Sequence, residues 1–351
     1  MSQKKEALTL TVTLLITTLL LGGGYFWFTR ESRVDIKNVT NSQPNQSTST
    51  PNTVKKANST NFSTVANVPT GLFNYGGSTT WAPIRLSIDS VIQTARPEYR
   101  LRYVQPANVT PGSGTGINAL IEGQLSFSQS SRAVTDQELK RAQQRGFSLN
   151  QIPIAIDGIA IVVNPKLEIP GLTINQLKSI YIGKIKNWNE VGGPNIPILP
   201  LTRRVGDGGT VELFIKEIMG GQVFGSEVEL VSTTTQALRK VADSPGAIYY
   251  ASAPEVVPQC SVKPLPIGRT PSEYVTPYQK PLILTNQCPN KRNQLNIQAF
   301  KSGKYPITRN LFVIVKQNGQ TEEQAGVAYA NLLLTEQGQE LITKAGFVKI
   351  R

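Results

Sequence analysis

The first 30 residues are dominated by an apolar run, residues 8–28, that no charged side chain interrupts. As a helix these 21 residues would span about 31 Å, close to the roughly 30 Å hydrocarbon core of a bilayer. Lys4 and Lys5 precede the run and place the N-terminus in the cytoplasm by the positive-inside rule. We predict a transmembrane signal anchor over residues 1–30. A cleaved signal peptide is the alternative, although the bulky aromatics after Gly22–Gly24 make a poor cleavage site.

Residues 31–67 change abruptly to polar composition. Of these 37 residues, 23 are Asn, Gln, Ser, Thr or Pro. Such a stretch cannot bury enough apolar surface to fold alone, so it predicts a disordered linker that tethers a domain to the membrane.

From residue 68 onward, short apolar runs alternate with helical stripes, and the turns between them are rich in Gly, Ser and Thr. Strand patterns at 72–75, 99–105 and 196–201 each precede such a turn, and a helix pattern follows. In the third case the turn is residues 202–210, with two arginines and three glycines. A helix N-terminus offers unpaired N–H groups, so these junctions predict an anion cradle. A solvated surface turn is the alternative.

The remaining patterns extend the alternation of strands and helices. Strands are predicted at 152–163, 246–250 and 305–315, and helices at 136–145, 173–181, 235–242 and 321–345. A chain of 351 residues exceeds one ordinary core, so the expectation is an α/β fold with two lobes.

The composition excludes several kinds of chemistry. The chain has no histidine, which removes histidine-based triads and the commonest zinc sites. Its net charge of +13 comes from basic residues spread along the chain, so nucleic-acid binding is not expected. The glycines at 112, 114 and 116 lack the spacing of a dinucleotide fingerprint. We therefore predict no catalytic residues, no metal and no cofactor: the protein is not an enzyme.

The two cysteines, Cys260 and Cys288, bracket a proline-containing stretch with little periodicity. In an oxidising compartment they can pair, and we predict a disulfide between them. Two unpaired thiols are the alternative, because sequence does not give their separation in space.

Several motifs occur together in the region from about residue 69 to residue 351. They are 77–83 (GSTTWAP), 112–116 (GSGTG), 130–132 (SSR), 157–164 (DGIAIVVN), 180–188 (IYIGKIKNW), 305–309 (YPITR), and Arg204 with Gly209 and Thr210. With these motifs the chain resembles the phosphate-binding proteins of high-affinity phosphate ABC transporters, a family of type II periplasmic binding proteins.

The resemblance implies a two-lobed fold with two crossovers between the lobes. One lobe would comprise residues 68–157 and 309–351, and the other residues 158–308. The implied function is capture of inorganic phosphate between the lobes and delivery to the permease subunits of an ABC transporter. With the predicted anchor, the binding domain would lie on the extracytoplasmic, periplasmic side of the cytoplasmic membrane, as a monomer. An oxyanion sensor or scaffold with the same fold is the alternative.

The resemblance also implies the phosphate ligands. They are Ser78, Thr79, Thr80, Ser113, Gly114, Ser131, Arg132, Arg204, Gly208, Gly209 and Thr210. Two of these depart from the pattern of many members: Ser131 stands where some have an aspartate that accepts the hydrogen of phosphate, and Gly208 where many have a serine. Selectivity over sulfate is therefore open. Asp207 is a hypothetical substitute acceptor, prompted by its adjacency.

Overall fold

The computed structural model describes residues 60–105, 109–206 and 208–350. No helix in these three ranges is long and apolar enough to cross a membrane. The predicted anchor at 1–30 and most of the predicted linker lie outside the described residues, as does Asp207.

The first lobe combines a sheet of parallel and antiparallel strands with helices that begin at the strand ends. Its elements are β1 (Gly71–Gly77), α1 (Ala82–Ala95), β2 (Tyr99–Tyr103), α2 (Ser113–Ile121), β3 (Phe127–Ser130), α3 (Asp136–Gln144), the first part of β4 (Ser148–Val163), β11 (Thr308–Gln317), α9 (Thr321–Leu333), α10 (Glu336–Lys344) and β12 (Val348–Lys349). β1 is parallel to β2 and β3, and β11 is antiparallel to β3 and β4.

The second lobe repeats this construction around the last residues of β4. Its elements are β5 (Leu172–Thr173), α4 (Ile174–Tyr181), β6 (Leu199–Thr202), α5 (Gly209–Leu213), a π-helical turn at Phe214–Ile218, β7 (Glu229–Leu230), α6 (Thr234–Asp243), β8 (Ala247–Ser252), α7 (Ala253–Val256), β9 (Lys263–Leu265), β10 (Ile267–Gly268) and α8 (Ile297–Lys301). β8 pairs with β4 and with β6.

Two long strands connect the lobes. β4 pairs with β11 up to Gly158 and with β8 from Ile159 onward, so it changes partner within two residues. β11 begins at Thr308, opposite Gly158. The apolar core divides into two clusters at the same position along β4. Ile154, Ala155 and Leu311 belong to one cluster, whereas residues 159–163 belong to the other. The chain therefore crosses between the lobes through two adjacent antiparallel strands.

The folded unit starts before residue 68. Phe62 and Val65 are buried against the first lobe, and a short 3₁₀ helix covers Phe62–Thr64. Arg96 anchors this turn, since its guanidinium donates to the carbonyl oxygens of Phe62 at 2.9 Å and Ser63 at 2.9 Å. The prediction that the disordered linker extends to residue 67 is therefore wrong for Phe62 and Val65, which belong to the folded unit. Polar composition concealed two apolar side chains that pack on the core.

The predicted single helix at 321–345 is two helices. The break falls at Thr335, the N-cap of α10, whose hydroxyl accepts from the N–H of Gly338 at 3.0 Å and donates to the carbonyl of Leu332 at 2.7 Å. The Thr335 hydroxyl thus bonds to the last turn of α9 and to the first turn of α10. These side-chain bonds to the backbone favour a turn over a continuous helix. The apolar periodicity continues across the break, which is why the pattern alone did not reveal it.

Cys260 and Cys288 form the predicted disulfide, with Cα atoms 5.9 Å apart. The bond closes a loop of the second lobe, with a sequence separation of 28 residues.

Replacing both cysteines by alanine is expected to lower the free energy of unfolding by about 2–4 kcal/mol, because the unfolded chain gains the freedom of that loop. Urea denaturation measures the change. Reduced wild-type protein is the control and should lose the same amount; an unchanged midpoint in both would contradict the prediction.

Candidate functional site

A cavity of about 260 Å³ lies where the ends of strands from both lobes meet helix starts. Its lining residues are Thr79, Thr80, Arg203, Gly208, Gly209, Thr210, Val211, Thr233, Thr234, Tyr249, Tyr250, Ala251 and Glu255. Three helical segments begin at this wall: the 3₁₀ turn at Thr79–Trp81, α5 and α6. The first N–H groups of a helix have no partner within it, so the cavity is surrounded by hydroxyl and backbone donors.

Three of the predicted ligands form a hydroxyl cluster in the first lobe. Ser78 Oγ donates to Ser131 Oγ at 2.9 Å, the Ser113 and Ser131 hydroxyls are 3.2 Å apart, and the Ser131 N–H donates to Ser113 Oγ at 3.0 Å. All three side chains are buried. The structure brings these three predicted ligands together, yet none of them lines the cavity.

The start of α5 covers this cluster from the second lobe. An added Cβ on Gly209 would lie 2.5 Å from Ser131 Oγ and 2.7 Å from Ser113 Oγ. A Cβ on Gly112 would lie 3.3 Å from the Cα of Gly208. Glycine is therefore required at Gly209 for the two lobes to approach this closely, and the contact seals the serines from solvent.

Arg132 does not face the cavity. Its guanidinium donates to both carboxylate oxygens of Glu138 at 2.8 and 2.9 Å, and also to Glu212 of the second lobe. A Cβ on the neighbouring Gly114 would be 3.2 Å from Arg132 Nη2. Arg132 therefore connects the two lobes, and the absence of a side chain at Gly114 leaves room for its guanidinium. Sequence could not show this, because the second carboxylate is remote along the chain.

The cavity-facing arginine of the 202–210 turn is Arg203, whereas the prediction named Arg204. Arg204 is exposed and is not part of the cavity wall. Arg203 is half-buried, and its Nε is a buried donor without a partner in the described part of the chain. Motif spacing selected Arg204, but the turn after β6 directs the preceding residue inward.

A buried ion pair spans the crossover next to the cavity. Arg309 Nε donates to Asp157 Oδ2 at 2.9 Å, and the other oxygen of Asp157 accepts from Ser252 Oγ at 2.7 Å. Arg309 Nη2 also donates to the hydroxyls of Thr80 at 3.1 Å and Thr210 at 2.9 Å. One guanidinium thus orients a threonine from each lobe. Asp157 and Arg309 each stand alone in an apolar strand pattern, a signal from which sequence analysis could have paired them.

Glu255 of α7 is a further lining residue that sequence analysis missed. Its carboxylate accepts a hydrogen bond from Thr234 Oγ1 at 3.3 Å. Burial raises the pKa of Glu255 to about 7, and the negative charge of Asp157 adds to this rise, while Arg309, Thr234 and Arg203 oppose it. A short helix after β8 gives no distinctive motif, so only the fold brings this carboxyl group to the cavity.

The fold and the cavity define a class: a two-lobed α/β protein with a polar binding site between its lobes. The family model described as PBP superfamily domain matches residues 39–337. The chain belongs to this superfamily. The resemblance to phosphate-binding proteins of ABC transporters that the sequence motifs indicated is confirmed.

Individual relatives agree with this assignment. The chain is 25% identical over 290 residues to the phosphate-binding protein PstS of Borreliella burgdorferi, covering 80% of this chain and 90% of the relative. It is 30% identical over 180 residues to PstS of Bacillus subtilis, covering 51% and 56%. An ABC-type phosphate transport receptor from Vibrio cholerae has a similar structure, with a TM-score of 0.60 at 23% identity, covering 79% of this chain and 99% of that one. These relatives carry the names of binding and transport proteins, not of enzymes.

Proposed function

We propose that the protein is the extracytoplasmic receptor of a phosphate ABC transporter, binding inorganic phosphate between its lobes and delivering it to the permease. The observation that carries the proposal is the cavity itself, where helix starts from both lobes present N–H and hydroxyl donors beside the free Nε of Arg203. The names of its relatives support phosphate as the ligand.

We further propose how the predicted ligands divide between direct and supporting roles. Thr79, Thr80, Gly208, Gly209 and Thr210 contact the ion, and Arg203 replaces Arg204 as the charged donor. Ser78, Ser113 and Ser131 hold the wall of the first lobe behind them. Arg132 and Gly114 belong to the contact between the lobes. The lobes are taken as residues 68–157 with 309–351, and 158–308, a division that the two apolar clusters support.

The proposal includes membrane attachment. The uninterrupted apolar run at 8–28 supports a single-pass anchor, and the polar stretch that follows supports a tether long enough to let the receptor reach a permease in the same membrane. Separation of the full chain into membrane and soluble fractions tests this, with a chain lacking residues 1–30 as the control. Recovery of the full chain in the soluble fraction would contradict it.

Replacing Arg203 by methionine is expected to weaken phosphate binding by about 10- to 150-fold. A charge-assisted hydrogen bond is typically worth about 1.5–3 kcal/mol, and methionine keeps the apolar stem while removing the donor. Titration calorimetry on the full chain, freed of bound ion, measures the change. The adjacent Arg204→Met is the matched control and should change the affinity less than about threefold, because Arg204 is exposed. The opposite ranking of the two variants would contradict the proposed site.

A further inference from the structure

The wall of the cavity carries two side chains of opposite charge, Arg203 and Glu255. Within residues 60–105, 109–206 and 208–350 neither forms an ion pair, and the Nε of Arg203 is a buried donor without a partner. The carboxylate of Glu255 accepts a hydrogen bond from Thr234 Oγ1 at 3.3 Å. The charge of Arg203 lowers the pKa of Glu255, yet no hydrogen bond joins the two groups. The cavity therefore presents a positive and a negative group that are separate from each other.

The other carboxylates near the cavity have cationic partners within the protein. Asp157 accepts from Arg309, and Glu212 accepts from Arg132. Glu255 has no such partner in the described part of the chain, and burial raises its pKa to about 7. A buried carboxylate without a counter-ion is costly, and an anion beside it adds repulsion. A cationic group in the cavity would relieve both costs.

The cavity is larger than inorganic phosphate. One water molecule takes up about 30 Å³ of liquid, so a cavity of about 260 Å³ holds roughly nine groups of that size. Inorganic phosphate supplies five atoms besides hydrogen and fills little more than half of this space. The remainder suits a short chain of about three or four further atoms.

We propose that the cavity also binds a phosphate monoester that carries a primary amine, with its phosphate group on Arg203 and its ammonium group on Glu255. The inference rests on the proposed function, because it keeps the phosphate group on the donors described above. A two-carbon spacer between the groups, as in 2-aminoethyl phosphate, matches the volume of the cavity. The ligand class is a free monoester, since that volume leaves no space for the glycerol part of a lipid.

The surroundings of Glu255 supply the acceptors that an ammonium group needs. Such a group has three hydrogens to donate, and one carboxylate does not take all of them. The hydroxyl groups of Thr234 and Tyr249 line the same wall, with their oxygen atoms 3.5 Å apart. Burial raises the pKa of Tyr249 to about 12, and the charge of Glu255 adds to the rise, so this hydroxyl stays neutral. Both oxygens can therefore accept beside the carboxylate.

The test is titration calorimetry on the full chain, freed of bound ion, at pH 8.5. At this pH Glu255 is ionised and an alkyl amine is protonated. The two probes are 2-aminoethyl phosphate and propyl phosphate, in which a methyl group replaces the ammonium group. The wild type should bind the amine about 10- to 150-fold more tightly, the effect of one charge-assisted hydrogen bond.

Three variants assign this preference to its residue. Glu255→Gln should reduce it to less than about threefold, because the amide keeps the shape and removes the charge. Arg203→Met should weaken the binding of both esters and leave their ratio unchanged, since Arg203 holds the group that they share. The exposed Glu273→Gln is the matched control and should keep the preference of the wild type.

The outcomes separate this inference from the proposed function. Equal affinity of the wild type for the two esters would overturn the inference, as would binding of inorganic phosphate without binding of either ester. Neither result touches the proposed function, and neither needs a variant that folds. A full preference for the amine in Glu255→Gln would overturn the role of Glu255. If the wild type binds neither inorganic phosphate nor an ester, the proposed function fails and the inference fails with it.

Discussion

Replacing Arg309 by methionine is expected to lower the free energy of unfolding by about 3–5 kcal/mol. The substitution leaves the carboxylate of Asp157 buried without its counter-ion, and such an uncompensated charge is far more costly than the pair is stabilising. Both side chains are almost completely buried, with 2% and 0% of their side-chain surface exposed. Among the described residues, Ser252 would then remain as the hydrogen-bonding partner of Asp157.

Urea denaturation of Arg309→Met measures this loss, and the double variant Arg309→Met with Asp157→Leu separates its causes. Removing both charges should recover most of the stability, because no unpaired ion is left in the interior. It should not restore phosphate affinity, since Thr80 and Thr210 lose the guanidinium that orients them. Arg100→Met, on the exposed side of β2, is the control and should stay within about 0.5 kcal/mol. A double variant as unstable as the single one would refute the ion-pair argument.

The local elements that position the cavity could be predicted because their signals are local. The strand at 152–163 and the helix at 173–181 are continuous apolar or amphipathic patterns, and they correspond to the end of β4 and to α4. The turn at 202–210 lies between a strand and a helix, as its glycines indicated. Hydrophobic periodicity and turn-forming residues determine structure within a few residues. A sequence pattern is informative over this same short range.

The side chains whose positions the sequence did not reveal have partners that are remote along the chain. An arginine side chain is long enough to pair with a carboxylate from a distant part of the chain. Arg132 donates in this way to Glu212 of the second lobe. The choice between Arg203 and Arg204 depends on the path of one turn, which residue spacing does not describe. Glu255 enters the cavity only because β8 ends beside β4. The positions of these side chains follow from the packing of the two lobes and cannot be predicted from the hydrophobic pattern of the sequence.

In the proposed site, the residues that connect the lobes lie beside those that would bind phosphate. Arg132 with Glu212, and Arg309 with Thr80 and Thr210, connect the lobes, and the two threonines line the cavity. A ligand that bridges the two lobes favours the closed arrangement by the difference in its affinity for the closed and open states. Any change that acts only on the closed arrangement should therefore appear as a change in affinity.

Gly209→Ala is expected to disfavour the closed arrangement of the lobes. It should weaken phosphate binding by about 5- to 150-fold, with little loss of fold stability. The new Cβ would be 2.5 Å from Ser131 Oγ, whereas ordinary contacts begin near 3.4 Å, so α5 must retreat by about 0.9 Å. Rotating the serine hydroxyls away would break their hydrogen bonds within the buried cluster. Overpacking of this kind costs about 1–3 kcal/mol, and here the cost falls on the closed arrangement alone.

Calorimetry gives the phosphate affinity of Gly209→Ala, small-angle scattering with saturating phosphate gives the degree of closure, and thermal unfolding without ligand gives the stability. Gly319→Ala is the matched control: its φ of +70° strains an alanine, but an added Cβ there meets no atom within 4 Å and lies outside the cavity. It should lose stability and keep its affinity, the reverse of Gly209→Ala. If Gly209→Ala bound phosphate as tightly as the wild type, the contact between α5 and the serine cluster would not belong to the ligand-bound state, and the serines would be free to contact the ion directly.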